Sequence, residues 1–337
     1  MDYIKGTISI HLVKEALLVA NSRGYNIYEI ASNAGISPTL LDVNKARVSI
    51  NDYAKLWIEI ANTMNDEFFG MDAHAMRRGS YKLLVKMVEH STTIEKALQN
   101  ILNYFNIILD DLYAYYDVDE TGNQLRIYIK DKGNIKRMFT YATYMMFIQG
   151  ILCWLADKNI IYHRIQLKCS QPIYCEDYYI RFTDQIEFLS EQNVLYLDAS
   201  DLKIKIKKSN EDVNDFLKYT PQKFLVRYKA DNDLSAEIRN YLSQSNLQEW
   251  PELKEIALIL NISEATLQRR LKNKGTSFQK IKNEIRRDYA IERLSNTKDT
   301  LYDISYALNF NDPSAFQRAF KKWTGVSAGT YRKLSQH

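Results

Sequence analysis

The sequence predicts two domains of different class. The N-terminal one is α+β, with helices around a small sheet; the C-terminal one is all-α, with two helix-turn-helix units joined by a linking helix. Three observations carry this prediction. One helical pattern occurs twice, 48 residues apart, as LKEIALILNISEATLQRRLKNK (Leu253 to Lys274) and LYDISYALNFNDPSAFQRAFKK (Leu301 to Lys322). Upstream, short runs of alternating apolar and polar residues stand among helix-periodic stretches. At 337 residues the chain is also long enough for two hydrophobic cores. Mixed charges and Pro221 in the stretch Ser209 to Asp233 place the boundary there. The expected division is 1–225 for the α+β domain, 226–232 for a connector and 233–337 for the helical domain.

His11 to Thr63 is helical in pattern and contains IYEIASNAGISPTLL, Ile27 to Leu41, which has the outline of a further helix-turn-helix. The segment after Ser37-Pro38 offers Thr39, Leu40, Leu41, Asp42 and Val43, with no basic side chain to read a base, so it is expected to be a packing unit. Val85 to Ile108 continues the helical period, with Ser91-Thr92-Thr93 as the cap before Ile94. Gln124 to Lys130, QLRIYIK, alternates after the turn signal at Glu120 to Asn123 and reads as a half-exposed strand. His163 to Lys168, Tyr178 to Phe182 and Leu202 to Lys207 read similarly, and Tyr141 to Ala156 between them is an apolar helix.

In the first C-terminal pattern, Leu253, Ile256, Ala257 and Leu260 recur at the spacing that buries one helix face. Asn261 stands where the turn needs a left-handed backbone, which Asn tolerates better than most residues. Ser263 caps the next helix. Leu267 and Leu271 face inward, which leaves Ala265, Gln268, Arg269 and Lys272 on the outer face. In the second pattern Leu301, Ile304 and Leu308 form the first apolar face, and Asp312-Pro313 is a sharp helix start. Phe316, Phe320 and Trp323 then point inward, and Ser314, Gln317, Arg318 and Lys321 share the other face. Arg, Lys and Gln are the side chains that reach guanine and adenine edges, and a small Ala permits close approach to DNA. Ser277 to Leu294 reads as a rigid helix that fixes the spacing of the two readers. Its polar side offers Lys280, Lys282, Arg286, Arg287 and Arg293, of which Lys282, Arg286 and Arg287 are expected to meet phosphate.

The stretches SEATLQRRLKNKGTSF and ALNFNDPSAFQRAFKKWTGVSAGTYRK carry a resemblance to the DNA-binding domain of the AraC/XylS transcription regulators, over about Leu234 to Lys333. The resemblance implies that Ala265, Gln268 and Arg269 read bases from the first unit, and Ser314, Gln317 and Arg318 from the second. Three positions depart from the family pattern: Ser305 stands for its Ala, Asn309 for its Gly and Ala328 for its Pro. GSYKLLVKMVEHSTTIEKAL and FTDQIEFLSEQNVLYLDASDL make the N-terminal part similar to the sensing domain of the subgroup typified by ornithine-utilisation and quinate-type regulators, and set it apart from the cupin barrel of the arabinose sensor.

Charge agrees with a DNA-binding C-terminus. From Ile262 onward fifteen Lys and Arg stand against seven Asp and Glu, a balance of +8, while the whole chain is +4 and its earlier part therefore −4. Cationic side chains that displace counterions belong where a duplex docks. No catalytic motif (GxSxG, HExxH, Walker or GxGxxG) occurs, and His11, His74, His90, His163 and His337 have no metal-ligand spacing. No enzyme activity, metal or cofactor is expected. Cys153, Cys169 and Cys175 are expected to be buried or free thiols in a reducing compartment, with a redox role as the alternative. The most apolar window, Tyr144 to Ala156, is short for a bilayer and holds Gln149, and the chain opens without a secretory pattern, so a cytoplasmic protein is expected.

Tyrosine is abundant at 24 residues, and its apolar ring with a polar tip suits either a core or a pocket. If the N-terminal domain binds an effector, Arg77, Arg78 and Arg181 are its charged anchors, with Tyr141 and Tyr144 as aromatic walls. The partners expected are double-stranded operator or promoter DNA, a small-molecule effector, RNA polymerase and a second copy of the chain, with no membrane. Two readings stay open at this point: an effector-controlled regulator, and a ligand-independent one whose N-terminal domain only dimerises.

Overall fold

The computed structural model describes residues 6–225, 234–273 and 276–335. The expected connector, 226–232, lies outside the described residues. Along the chain run β1 (Thr7–Ser9), α1 (Ile10–Ser22), α2 (Ile27–Asn33), a 3-10 turn (Pro38–Asp42), β2 (Arg47–Ser49), α3 (Ile50–Met64), α4 (Ser80–Val88) and α5 (Ile94–Ile108). They are followed by β3 (Leu112–Val118), β4 (Gln124–Asp131), α6 (Met138–Ala156), β5 (Arg164–Gln166), α7 (Glu176–Arg181), β6 (Ile186–Glu187), β7 (Asn193–Asp198), α8 (Asn210–Lys218) and α9 (Gln222–Leu225). The C-terminal helices are α10 (Leu234–Gln244), α11 (Leu253–Ile259), α12 (Glu264–Asn273), α13 (Phe278–Asn296), α14 (Leu301–Ala307), α15 (Pro313–Thr324) and α16 (Ala328–Ser335).

The chain forms two compact units that do not divide at one point. The first contains Met1–Ile10, Gly35–Tyr53 and Lys229–His337; the second contains His11–Ala34 and Ala54–Tyr228. The second unit is the α+β one. Its sheet has the order β3-β4-β7-β5-β6, antiparallel except for the β5–β6 pair. Leu112, Ala114, Leu125, Ile127, Ile129, Leu195 and Leu197 are all buried, and α5 packs on β3 and on α6. Thr93 caps α5 by accepting a bond from the Lys96 amide at 3.3 Å. By length and composition α6 could cross a membrane, yet 94% of its apolar window is buried inside the fold. It is a core helix, and longer than the apolar window alone implied.

Two expected strands differ. Tyr178 to Arg181 lies in α7, with Phe182 as its C-cap, and not in a strand. Tyr178 and Phe182, four residues apart, are buried while Ile180 is 37% exposed, and a strand would put all three on one face. Glu176 and Asp177 favour a helix start. Leu202 to Lys207 begins in a 3-10 turn and makes only an isolated bridge, Lys205 to Thr93. The central strand of that region is instead NVLYLD, Asn193–Asp198. After Ser37-Pro38 the chain makes a five-residue 3-10 turn with Leu40 and Leu41 buried, a packing unit rather than a reader.

In the first unit, Ile238, Leu242, Trp250, Ile256, Ala257, Leu267, Leu271, Phe278 and Ile281 form one core cluster. Phe316, Phe320 and Tyr331 form an aromatic run with ring centroids 5.8 and 5.4 Å apart. β1 and β2 pair antiparallel, Thr7 to Ser49. β2 lies against α13, and the Pro38–Asp42 turn against α16. Thr7 Oγ1 donates to Asp288 at 2.6 Å, Arg47 Nε donates to Thr7 Oγ1 at 2.7 Å, and the Tyr331 hydroxyl donates to the Arg47 carbonyl. These contacts are why two N-terminal segments, counted with the regulatory domain in a single cut at 225, group with the C-terminal helices.

Candidate nucleic-acid interface

Both helix pairs are built from the same local chemistry. In the first, α11 carries a capping box between Glu252 and Glu255, and the chain then turns at Asn261 with φ +54°. Ser263 Oγ accepts the Thr266 amide at 3.2 Å and starts α12. In the second, α14 carries a capping box between Thr300 and Asp303, and Asn309 turns with φ +56°. Asp312 accepts the Ala315 amide at 2.8 Å with Pro313 in the first turn of α15, and Gly325 ends that helix with φ +84°. Asn at 309, in place of the family's Gly, therefore adopts the conformation the turn requires. Ser305, in place of Ala, is buried with its hydroxyl donating to the Tyr302 carbonyl at 2.9 Å. Ala328 is buried at the start of α16, which Ser327 caps.

The burial of Leu267 and Leu271 on α12, and of Phe316 and Phe320 on α15, fixes which faces turn outward. Ala265, Gln268, Arg269 and Lys272 are exposed on α12, and Ser314, Gln317, Arg318 and Lys321 on α15. Arg270 and Lys322, which sequence reasoning passed over, are exposed in the last turns of the same helices. They adjoin the chosen face, and only their exposure distinguishes them. Lys45, from the N-terminal segment of the same unit, is exposed near the end of α15. Its Cβ lies 3.7 Å from where a Cβ on Gly325 would be, a proximity that exists only in the folded unit.

The linking helix departs from expectation. Ser277 caps it through the Lys280 amide, and Phe278, Ile281 and Leu294 are buried as the pattern required. Its basic side, however, is largely spent inside the unit. Lys282 is only 8% exposed, lies over the Phe278 ring and pairs with Glu252 at 3.4 Å. Arg286 lies 5.6 Å from the Trp250 ring centre and 5.4 Å from that of Phe310. Burial pushes its guanidinium below the usual arginine range. Arg287 bonds Asp288 at 2.9 Å, and Arg293 pairs with Asp299. The arrangement speaks against the phosphate role expected of Lys282, Arg286 and Arg287 without testing it: Lys282 is buried, and Arg286 and Arg287 are half-buried against partners within the unit.

Of the five residues expected to line an effector pocket, Arg77 and Arg78 are exposed, Arg181 is half-buried, and Tyr141 and Tyr144 are buried. Arg78 bonds Glu67 at 2.9 Å in a loop that Glu67 further organises by accepting the Gly79 and Tyr81 amides. Tyr144 is buried, with no hydrogen-bond partner for its hydroxyl. Tyr141 is buried too, and its hydroxyl donates to Asp131 at 2.6 Å. Arg181 donates to Gln149 at 2.8 Å. Burial raises the phenol of Tyr141, with the Asp131 carboxylate adding to the effect, and burial alone raises that of Tyr144. Cys153, Cys169 and Cys175 are buried and free of disulfides. Burial pushes the Cys153 thiol up to about 12 and Cys169 to about 11, away from the reactive thiolate.

Residues 24–206 match the family described as the N-terminal arabinose-binding domain of AraC transcription regulators, and residues 256–334 match a helix-turn-helix domain. The first match, like the resemblance stated from the sequence, places the domain among the N-terminal sensor domains of AraC-type regulators. Among the described residues the sheet ends at β3 on one side and β6 on the other. The chain is 24% identical to the ornithine utilization regulator of Pseudomonas aeruginosa, over 95% of this chain and 94% of that one. It is 30% identical to the virulence regulon transcriptional activator VirF of Shigella flexneri, over 28% of this chain and 35% of that one. Among solved structures it is similar to the transcriptional regulator CdpR of Pseudomonas aeruginosa, 18% identical over 96% of this chain and 97% of that one, with a TM-score of 0.31. The families and curated relatives are transcription regulators and not enzymes.

Proposed function

We propose, for a chain that belongs to the AraC family of transcription regulators, that α12 and α15 read base edges in two successive major grooves, under the control of a small molecule held by the α+β unit. The observation that carries this reading is the pair of equivalently capped helices, each turning Arg, Lys and Gln outward from a buried apolar stripe. Arg269 and Arg318 suit guanine, Gln268 and Gln317 suit adenine, and Ala265 and Ser314 permit close approach. Lys272 and Lys321 complete the two faces. The readers all lie within 233–337, which keeps that segment as the proposed DNA-binding domain and 1–225 as the regulatory one. Support for an effector comes from the family's description and from the relative named for ornithine utilization, both of which concern small metabolites. The further partners proposed are RNA polymerase and a second copy of the chain, in the cytoplasm where promoter DNA is.

Selection of binding sites from a random DNA library tests the readers. Arg269→Ala and Arg318→Ala should each cost about 1–3 kcal/mol on the selected site and relax preference at particular bases. The two affected positions should lie roughly 10 bp apart. An unchanged preferred sequence in both variants overturns the assignment. Thermal melts against amino acids, aromatic acids and fatty acids test the effector, since ligand at a hundred times its Kd adds about 2.7 kcal/mol. A chain that dimerises and shifts with none of these classes is the ligand-independent regulator instead.

A further inference from the structure

Where β4 ends and β7 begins, Tyr115, Tyr128, Lys130, Asp131, Lys168 and Glu191 line a groove of about 490 Å³, a volume that suits a small metabolite. Tyr115 and Tyr128 stack across β3 and β4 with ring centres 4.9 Å apart, and Lys130 Nζ lies 4.9 Å from the Tyr115 ring centre. Beneath them is a built polar floor. Asp131 Oδ1 accepts from the Tyr141 hydroxyl at 2.6 Å, and its Oδ2 accepts from Asn193 Nδ2 at 3.1 Å. Asn193 is itself fixed: Nδ2 also donates to the Ile129 carbonyl at 3.0 Å, and Oδ1 accepts the Lys168 amide at 2.8 Å. Tyr141 is 0% exposed and Asn193 2%, so the carboxylate is held by buried neutral donors.

The charged groups around this floor are not paired with one another. Among the described residues none of Lys130, Asp131, Lys168 and Glu191 forms an ion pair. Elsewhere on the same sheet, Arg126 pairs with Asp117 and Arg164 with Glu187. Two cations and two carboxylates that meet at one groove without pairing complement a ligand that carries both signs. An ammonium group also gains from nearby aromatic faces.

We propose that this groove is the effector site and takes a small zwitterion of the amino-acid type. Its ammonium group sits on Asp131, its carboxylate on Lys168, and its body against Tyr115 and Tyr128. The proposal deepens, and rests on, the effector reading above. Tyr141, 10 residues from Asp131 in sequence, is a positioning residue that aims the carboxylate.

The test uses the full chain in calorimetric titrations with L-phenylalanine and L-lysine, and with their decarboxylated counterparts phenethylamine and cadaverine. At least one amino acid should bind, and more tightly than its amine. Asp131→Asn should weaken the amino acid and the amine alike, by tenfold or more. Lys168→Met should weaken the amino acid and leave the amine unchanged. Lys168 contributes only its backbone to the floor, so this variant keeps the test decisive if Asp131→Asn fails to fold. No binding by either amino acid, or binding that neither substitution weakens, overturns the groove. Affinity for a selected DNA site, measured in the same samples, separates the two readings. A ligand that binds through Asp131 and Lys168 but leaves DNA affinity unchanged establishes the groove and sinks effector control. A ligand that changes DNA affinity independently of both residues keeps effector control and overturns the groove.

Discussion

The guanidinium of Arg286 lies 5.4 Å from the centre of the Phe310 ring, which ties the middle of the linking helix to the turn of the second helix pair. The same guanidinium is 5.6 Å from the ring of Trp250, which precedes the first pair. Its Nε is buried without a hydrogen-bond partner. One cation therefore touches aromatic rings from both reading halves. Arg286→Ala should lose about 1–3 kcal/mol of stability, from two desolvated cation–π contacts and the packed stem. In urea melts the midpoint should drop, and in site selection the preferred bases should persist while affinity falls. Arg286→Lys should not restore it, because an ammonium lacks the planar face that stacks on rings. Selected sites that lose a base preference would instead make Arg286 a reader.

Lys282 is expected to behave as a buried pair member and not as a phosphate contact. Lys282→Met should leave the slope of log affinity against log salt unchanged, where loss of a phosphate contact lowers it by about one unit. Its stability cost should be about 1 kcal/mol or less, since Glu252 is 80% exposed on its side of the pair. A reduced salt slope in titrations over a range of ionic strength would return Lys282 to the DNA.

A proline at Ile285 should do more than remove a partly buried side chain. It breaks α13 near its centre, at about 3 kcal/mol or more, and uncouples the two readers. Footprinting should then show one protected groove where the parent protein protects two. Protection of both grooves in a folded variant would mean that α13 is not the spacer.

The Tyr331 hydroxyl donates to the Arg47 carbonyl from a side chain that is 1% exposed. Tyr331→Phe should cost about 1–2 kcal/mol, because the bond is lost and a carbonyl is left less satisfied. Amide exchange should rise around β1 and β2 more than at α12. Unchanged exchange at Arg47 and its neighbours would show that the bond does not hold the ribbon.

Acid should weaken the α+β unit in part through Asp111. Its 2.6 Å bond to Lys136 holds the carboxyl below its ordinary value of 3.8. The folded state therefore binds this proton less tightly than the unfolded one. The pair's contribution is complete above the ordinary value and disappears as pH falls through the lower, folded one. Asp111→Asn should lower the urea midpoint at neutral pH and flatten its fall toward acid. Parallel acid limbs for the two proteins would remove Asp111 from the account.

Where a signal is local, the sequence carried it well. Asn261 and Asn309 turn with positive φ as a helix-turn-helix requires, and Ser263, Ser277 and Asp312 cap the helices they precede. Period arguments failed where a run was too short to tell 2 from 3.6, as at Tyr178 to Phe182. The roles of Lys282 and Arg286 were illegible for another reason. Glu252, Trp250 and Phe310 are brought to them only by tertiary packing, and a basic helix face looks the same in sequence whether solvated or buried. The groove floor was hidden likewise, since Asp131 and Asn193 stand 62 residues apart and share a bond only once β4 and β7 pair.

The grouping of Gly35–Tyr53 with the C-terminal helices also sets an order of events during synthesis. Phe278, where α13 begins, lies 225 residues after Tyr53. At roughly 5–20 residues per second the ribosome needs about 10 to 45 s to cover that interval. All that time Val48 and the rest of the ribbon are without the helices they pack on, while the stretch Ala54–Tyr228 that packs with His11–Ala34 is complete 50 residues before Phe278. A nascent chain therefore acquires its regulatory core before its DNA reader is whole. The reader closes only when the last helices leave the tunnel, so a message truncated anywhere before α16 yields a protein with an unfinished grip on DNA.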